Sequence, residues 1–389
     1  PRITEINGNG RTVTLNQNRQ EPTGQHVDWA AMGAGLFPVL NAGPALSVHN
    51  LTLTGSVNLT VGDTVNGKTD NVTFHPGYQR TQIGAGMLAG ALVSRQANSS
   101  VSITNVNASG TVTTNSLMAG GLIGYCGSPV TRITNPGAVD AFSKLASINV
   151  TNCSVNATVK GSSSVGGFIG FAYANTVTAE KCSSNGISIG VTGYRNNGKL
   201  WNYGNNSGFS DGLGGIIGTA FQTALHISDI TLNGVTILAD NGSDGTKDIG
   251  FGGIAGSVST TAGSSNWLTG ITMNGMISIQ DTKNGHVSAG FLIGYLADTN
   301  VNGWKIDDGG ASSFEISNVK IGCNADSTVA LKGFQVGGLI GMLKDGKVAL
   351  KIGGEAVNSD GTKTPLPVCI GNAESKNGKI SANSYSDAY

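Results

Sequence analysis

Three short strings in this sequence match signatures of chemistry. Gly62-Asp63-Thr64-Val65-Asn66-Gly67-Lys68-Thr69 fits the phosphate-binding loop letter for letter. That loop needs a strand before it and a helix after it, so that backbone N–H groups and the helix N-terminus meet the phosphates. The next residues, Asp70-Asn71-Val72-Thr73-Phe74-His75-Pro76, are strand-like and ended by proline, so the string reads as a loop. Gly208-Phe209-Ser210-Asp211-Gly212 fits the nucleophile elbow, yet a chain this rich in Gly and Ser yields about one such match by chance. Asp240-Asn241-Gly242-Ser243-Asp244-Gly245 has the alternating oxygens of a calcium loop, but Phe251 stands where the twelfth-position acid belongs, and a solvated turn is expected.

The remaining polar candidates are scattered. His26, His49, His75, His226 and His286 form no pair at ligand spacing. A carbohydrate-active β-helix enzyme would place carboxylates on one face in adjacent rungs. Asp229, Asp281, Asp307 and Asp308 do not recur at matching positions, so no catalytic residue, metal site or cofactor is assigned. The five cysteines, Cys126, Cys153, Cys182, Cys323 and Cys369, form no Cys-x-x-Cys pair, which argues against zinc and against a dense disulfide framework. Cys153 and Cys182 fall at similar points after consecutive glycine phrases, and stacking on neighbouring rungs as buried thiols is expected.

One segment concentrates binding chemistry: Tyr194-Arg195-Asn196-Asn197-Gly198-Lys199-Leu200-Trp201-Asn202-Tyr203-Gly204-Asn205-Asn206. Aromatics are only 6% of the chain, and here they mix with amides and cations, which suits a sugar or a partner protein. Tyr194, Arg195, Lys199, Trp201 and Tyr203 are the candidate ligand contacts; the alternative is that Trp201 covers one end of a rung. Trp267 and Trp304 are candidates to line the same side.

The elements that must carry this segment are set by a repeated phrase of two small residues, two apolar residues and a glycine. It reads Gly120-Gly121-Leu122-Ile123-Gly124, Gly166-Gly167-Phe168-Ile169-Gly170, Gly214-Gly215-Ile216-Ile217-Gly218, Gly252-Gly253-Ile254-Ala255-Gly256 and Gly337-Gly338-Leu339-Ile340-Gly341. Looser copies stand at Gly86-Met87-Leu88-Ala89-Gly90 and Gly290-Phe291-Leu292-Ile293-Gly294. The closing glycines from Gly90 to Gly341 are 34, 46, 48, 38, 38 and 47 residues apart, a minimum unit lengthened by insertions. Such an array is a stack of one supersecondary unit.

After each phrase, β-branched residues alternate with Ser, Thr or Asn, as in Ser102-Ile103-Thr104-Asn105-Val106-Asn107 and Ile227-Ser228-Asp229-Ile230-Thr231-Leu232. Period two with β-branched residues gives half-buried strands. Asn233-Gly234 and Asn274-Gly275 are hairpin signals in isolation; in a repeat they favour stacked corners with an Asn ladder. The phrase breaks the alternation, so one of its two apolar residues needs separate cover. Its structural glycines, Gly121, Gly124, Gly167, Gly170, Gly215, Gly218, Gly253, Gly256, Gly338 and Gly341, are expected to serve close backbone approach or a positive φ.

Gly supplies 60 of 389 residues, about twice ordinary usage, and charged residues only 12%, which disfavours helices built from Ala, Leu, Glu and Lys. Lys plus Arg and Asp plus Glu are 23 each, so no overall field draws nucleic acid or an anionic membrane. No apolar run is long enough to span a bilayer, and the opening residues lack a signal-like pattern. The expected fold is all-β: one right-handed parallel β-solenoid of about seven to eight repeats, with opening rungs over 1–33, repeats over 34–350 and a terminal rung or tail over 351–389. Taking ~4.8 Å per rung and one or two rungs per repeat, its length would be roughly 40 to 80 Å.

Gly121 to Gly124, with a strand ending at Asn152-Cys153 some residues later, resembles the GLUG-motif family of bacterial surface proteins. Ile6-Asn7-Gly8-Asn9-Gly10-Arg11 is similar to the rung that precedes such arrays, and Ala34-Gly35-Leu36-Phe37-Pro38 is similar to a first copy. The resemblance covers about residues 6 to 350 and rests on repetition. It implies an extracellular or cell-surface, noncatalytic adhesin whose partner is a cell-surface glycan or protein. The competing classes are a structural spacer or surface-lattice subunit and a polysaccharide lyase or glycoside hydrolase. Neither end reads as a polar cap, so end-to-end self-association is an expected contact. Ice binding is disfavoured, because Thr111-Val112-Thr113 does not recur in register.

Overall fold

In the computed structural model the described residues are 3–21, 32–61, 83–94, 96–115, 118–127, 144–191, 211–239, 248–261, 263–279, 286–297, 304–306, 314–323, 334–337 and 339–343, with short strand pieces at 64–69 and 350–383. They form a parallel β-solenoid in which one glycine phrase makes one coil. Each coil visits three sheets in turn. Sheet 1 takes the short strand entering the phrase, such as Met118–Gly120, Ser164–Gly166 and Asp211–Gly214. Sheet 2 takes the short strand leaving it, such as Ile123–Cys126, Ile169–Ala172 and Ile217–Ala220. Sheet 3 takes the long alternation, as in Ser100–Thr114 and Ala224–Ala239. Sheet 1 has eight strands, and Ile3–Glu21 adds a further sheet-3 strand ahead of them, so at about 4.8 Å per coil the stack is roughly 40 Å long.

Register is kept by residue type. Ile123 pairs with Ile169, Ile169 with Ile217, Ile217 with Ala255, Ala255 with Ile293 and Ile293 with Ile340. The Pro38 copy keeps it too, with Phe37 opposite Ala89 and Val39 opposite Ala91. The turn between sheets 1 and 2 is bonded coil to coil: the amides of Leu122 and Ile123 both donate to the Phe168 carbonyl at 3.0 Å, and Phe168 N–H donates to Ile216 at 3.0 Å. That accounts for the backbone groups a buried turn would otherwise leave unpaired.

The glycines serve close approach. Gly121, Gly167, Gly215 and Gly253 do not have left-handed φ values. A Cβ on Gly121 would strike the Gly167 carbonyl oxygen of the next coil and come 2.5 Å from Val155 Cγ1 of sheet 3. A Cβ on Gly124 would stand 2.5 Å from the Ala85 nitrogen and the Gly90 carbonyl oxygen, where sheets 1 and 2 pack backbone to backbone. Gly170, Gly218, Gly256 and Gly341 meet the same obstruction in their coils; Gly338 lies outside the described residues.

Both apolar residues of the phrase, Leu122 and Ile123, enter the main core. The residue needing separate cover is instead Tyr125, two positions on, which joins Ala91, Val93, Met118, Phe171 and Phe221 in a second small core. Across sheets 1 and 2 the sizes complement each other one coil apart: Gly84 leaves room for the Tyr125 ring, and Ser164 Oγ meets Thr219 Oγ1 at 2.8 Å.

Corners within sheet 3 are stacked as well. Asn50, Asn105, Asn152, Lys181 and Asp229 occupy one column with φ between 52° and 56°, continued by Gly270 at 59°. Asn105 Nδ2 donates to Asn50 Oδ1 at 3.2 Å, and Asn152 Nδ2 to Asn105 Oδ1. A second ladder runs from Asn274 Nδ2 to Asn233 Oδ1 at 3.1 Å and from Asn233 Nδ2 to Asn185 Oδ1 at 3.2 Å. The Asn-Gly pairs thus make coil corners, and the strands around them pair with neighbouring coils in parallel.

Candidate functional site

The binding segment is placed by its roots. Sheet-3 strands end at Glu21, Val61, Val191, Ala239, Ile279 and Cys323, and sheet 1 resumes at Met32, Ile83, Asp211, Asp248, His286 and Phe334. Segments 22–31, 62–82, 192–210, 240–247, 280–285 and 324–333 therefore leave and re-enter along one edge, coil upon coil. The same edge is closed over three residues between Thr114 and Met118, and over two between Gly161 and Ser164. Long insertion is optional for this fold. Segments 128–143 and 298–303 are rooted on the edge between sheets 2 and 3.

Tyr194, Arg195, Lys199, Trp201 and Tyr203 lie outside the described residues, as do the 240–245 turn, Asp281, Asp307, Asp308, His26 and His75. The phosphate-loop string contributes a two-stranded antiparallel piece, Thr64 opposite Thr69 and Val65 opposite Lys68, where a phosphate loop would start a helix. Asp211 heads a sheet-1 strand and its carboxylate, buried, accepts a bond from Ser163 Oγ. Asp229 holds the left-handed corner, and among the described residues no three His, Cys, Asp or Glu could hold a metal ion.

The two tryptophans are separated by the period-two alternation. Trp267 pairs with Lys305, one residue past Trp304. Trp267 therefore faces outward, half-buried, whereas Trp304 is 1% exposed inside the core and lines no ligand side. Trp267 also stands at the beginning of its sheet-3 strand, Asn266–Ile279, and segment 192–210 is rooted at the far end of such strands. The expected common side is thus not formed by these tryptophans.

Trp267 meets His226 of the coil before, ring on ring at 3.3 Å and 12°. His226 Nε2 lies 3.0 Å from the Ser265 carbonyl, which makes this nitrogen the protonated one. Burial against the tryptophan pulls the His226 pKa below its ordinary value, partly offset by that carbonyl. Nearby, Lys144 spans coils by resting on the Tyr173 ring at 5.2 Å and donating to the Gln222 carbonyl and to Thr261 Oγ1 at 3.3 Å. Burial lowers the Lys144 pKa. Lys144 had no signal in the sequence, because its partners are 78 and 117 residues away.

Outward columns of sheet 3 are small and polar: Thr52, Asn107, Ser154, Ser183, Thr231 and Thr272 stand in register. Thr111 and Thr113 pair with Ser56 and Asn58 on one side and with Thr158 and Lys160 on the other, so polarity recurs while the paired threonines of the Thr-Val-Thr run do not.

No family model, curated protein or solved structure matches the chain. Among the described residues no helix is long and apolar enough to cross a membrane.

Proposed function

We propose that this chain is a noncatalytic binding solenoid acting outside the cell or on its surface, which grips a glycan or a protein with its inserted segments. One observation carries the reading: six insertions, including the aromatic segment 192–210, share one edge of a stack that elsewhere closes that edge with two or three residues. Segments that the fold does not need, gathered on one side of a rigid scaffold, are where recognition is built. The likeness of the phrase to GLUG-motif arrays supports the same role class and location. A glycan array and a cell-binding assay test it, using wild type, Trp201→Ala, Tyr203→Ala and a chain with 194–206 replaced by three glycine or serine residues. Loss of binding in these variants with unchanged melting is expected. Full binding by the shortened chain would overturn the placement.

A further inference from the structure

The residue after the left-handed corner of sheet 3 points into the core, and its column reads Leu51, Val106, Cys153, Cys182, Ile230 and Ile271. From the second coil to the seventh, aliphatic residues fill it except in the fourth and fifth, where two cysteines succeed one another, each 1% exposed. The coils are in register on both sides: Thr151 pairs with Glu180, Ser154 with Ser183, and Ser183 N–H donates to the Cys153 carbonyl at 2.9 Å. Neighbouring parallel strands hold paired Cα atoms about 4.8 Å apart, inside the range that a disulfide spans. Three of the five cysteines have described side chains, and the third, Cys126, is buried in sheet 2.

We propose that Cys153 and Cys182 are a modification site, a thiol pair that oxidises to a disulfide clasping the fourth coil to the fifth. The oxidant is a small-molecule or protein disulfide of the kind an oxidising compartment supplies, and it reaches the pair as the chain folds, before both thiols are buried. Cys153 attacks first, because the Val106 N–H donates to its sulfur at 3.4 Å and such a donor favours a thiolate. The Cys153 thiolate displaces one thiolate from the oxidant, giving a mixed disulfide. Cys182, deprotonated, then attacks the Cys153 sulfur and expels the second. Two protons and two electrons leave the protein, one S–S bond forms, and the oxidant becomes two thiols. Cys182 now rests on the carbonyls of Val150 and Glu180, and Cys153 on those of Ile103 and Thr151, so closure requires one side chain to turn about χ1 and release its carbonyls.

The test refolds the full chain from denaturant in an oxidised-glutathione buffer and in dithiothreitol. Free thiols are then alkylated under denaturing conditions, and intact mass and peptide mapping are read. Two fewer alkylations, a 153–182 linked peptide, and a melting temperature raised by a few degrees over the reduced form are expected. In Cys153→Ser the expected Cys182 is a free or glutathione-capped thiol, with no new link to Cys126, Cys323 or Cys369. Recovery of both cysteines as thiols after oxidative refolding, or their linkage to other cysteines in the wild type, overturns the proposal. A Cys153→Ser chain that melts as the reduced wild type does shows that folding itself is intact.

Discussion

Gly121→Ala isolates the packing rule of the repeat. Gly121 does not hold a left-handed φ, so alanine meets no backbone penalty and by restricting the unfolded chain would stabilise by about 0.4–1 kcal/mol. Any loss is therefore steric. The added Cβ meets the Gly167 carbonyl, which belongs to a neighbouring coil and cannot rotate away, and sits 2.5 Å from Val155 Cγ1. Overpacking of this kind costs about 1–3 kcal/mol, so after the backbone gain the expected net loss is about 1–2 kcal/mol. The third coil provides the control within the molecule. There Met87 fills the position of Gly121, fully buried, and Ala108 stands in register with Val155. Val155→Ala alone should cost about 1–3 kcal/mol through its cavity. Combined with Gly121→Ala it should cost less than the sum by about 1 kcal/mol, because the alanine at 155 recreates the third coil's pairing. Denaturant titrations of the four proteins, monitored by circular dichroism, measure the coupling. Strict additivity, or an unchanged midpoint for Gly121→Ala, would refute size matching between the phrase and sheet 3.

Three further outcomes rest on single positions. Asn152 combines a φ of 52° with a ladder bond, so Asn152→Gly, which keeps the conformation, should be about 1 kcal/mol more stable than Asn152→Ala in thermal melts. Ser184 Oγ is buried without a hydrogen-bond partner in the column of Val155 and Leu232; Ser184→Ala should raise stability by about 0.5–1 kcal/mol, and a fall would mean that the hydroxyl is satisfied. His226 has a folded pKa below the 6.5 of the free side chain, so below that pH the unfolded chain binds a proton that the folded chain resists. Stability contributed by this group is full above pH 6.5 and declines as pH falls toward the lowered value. Melts from pH 7.5 to 5 should be steeper in wild type than in His226→Phe, and parallel curves would remove the histidine from the account.

The coil itself is legible in the sequence because the closing glycine of the phrase is constrained at the backbone: a Cβ at Gly124 would meet only main-chain atoms, and no side-chain substitution elsewhere relieves that. The Asn ladders are legible for a related reason, since a left-handed corner repeated in register tolerates few residues. Less visible is the division of labour inside the phrase, where Leu122 and Ile123 share one core and Tyr125 turns to another. Period two predicts faces only while the strand is regular, and the ladder passes over each closing glycine. The orientation of the tryptophans is written in their neighbours. In Trp304-Lys305-Ile306 the charged residue lies between two apolar ones, which puts Trp304 inward; in Asn266-Trp267-Leu268 the leucine is core, which puts Trp267 outward. Lys144 has no such local sign, because it and its partners are neighbours only after four coils are stacked.

Stack and recognition are separable in this architecture. Each coil is held by its two neighbours through the glycine turn, the Asn columns and the aliphatic core, and none of these contacts involves the edge where 192–210 is rooted. An edge that closes over Ser162 and Ser163 in one coil and carries nineteen residues in the next coil costs only the slowly growing entropy of a longer loop. Changes of length and composition there are nearly neutral for stability, while changes in the phrase are not. The fold thus lets the aromatic segment vary freely against a fixed spacing of about 4.8 Å per coil. Exchanging 194–206 with the corresponding edge segment of another coil should move any binding activity along the stack and leave melting unchanged. A melting point that tracks the segment instead would mean that the edge is part of the scaffold.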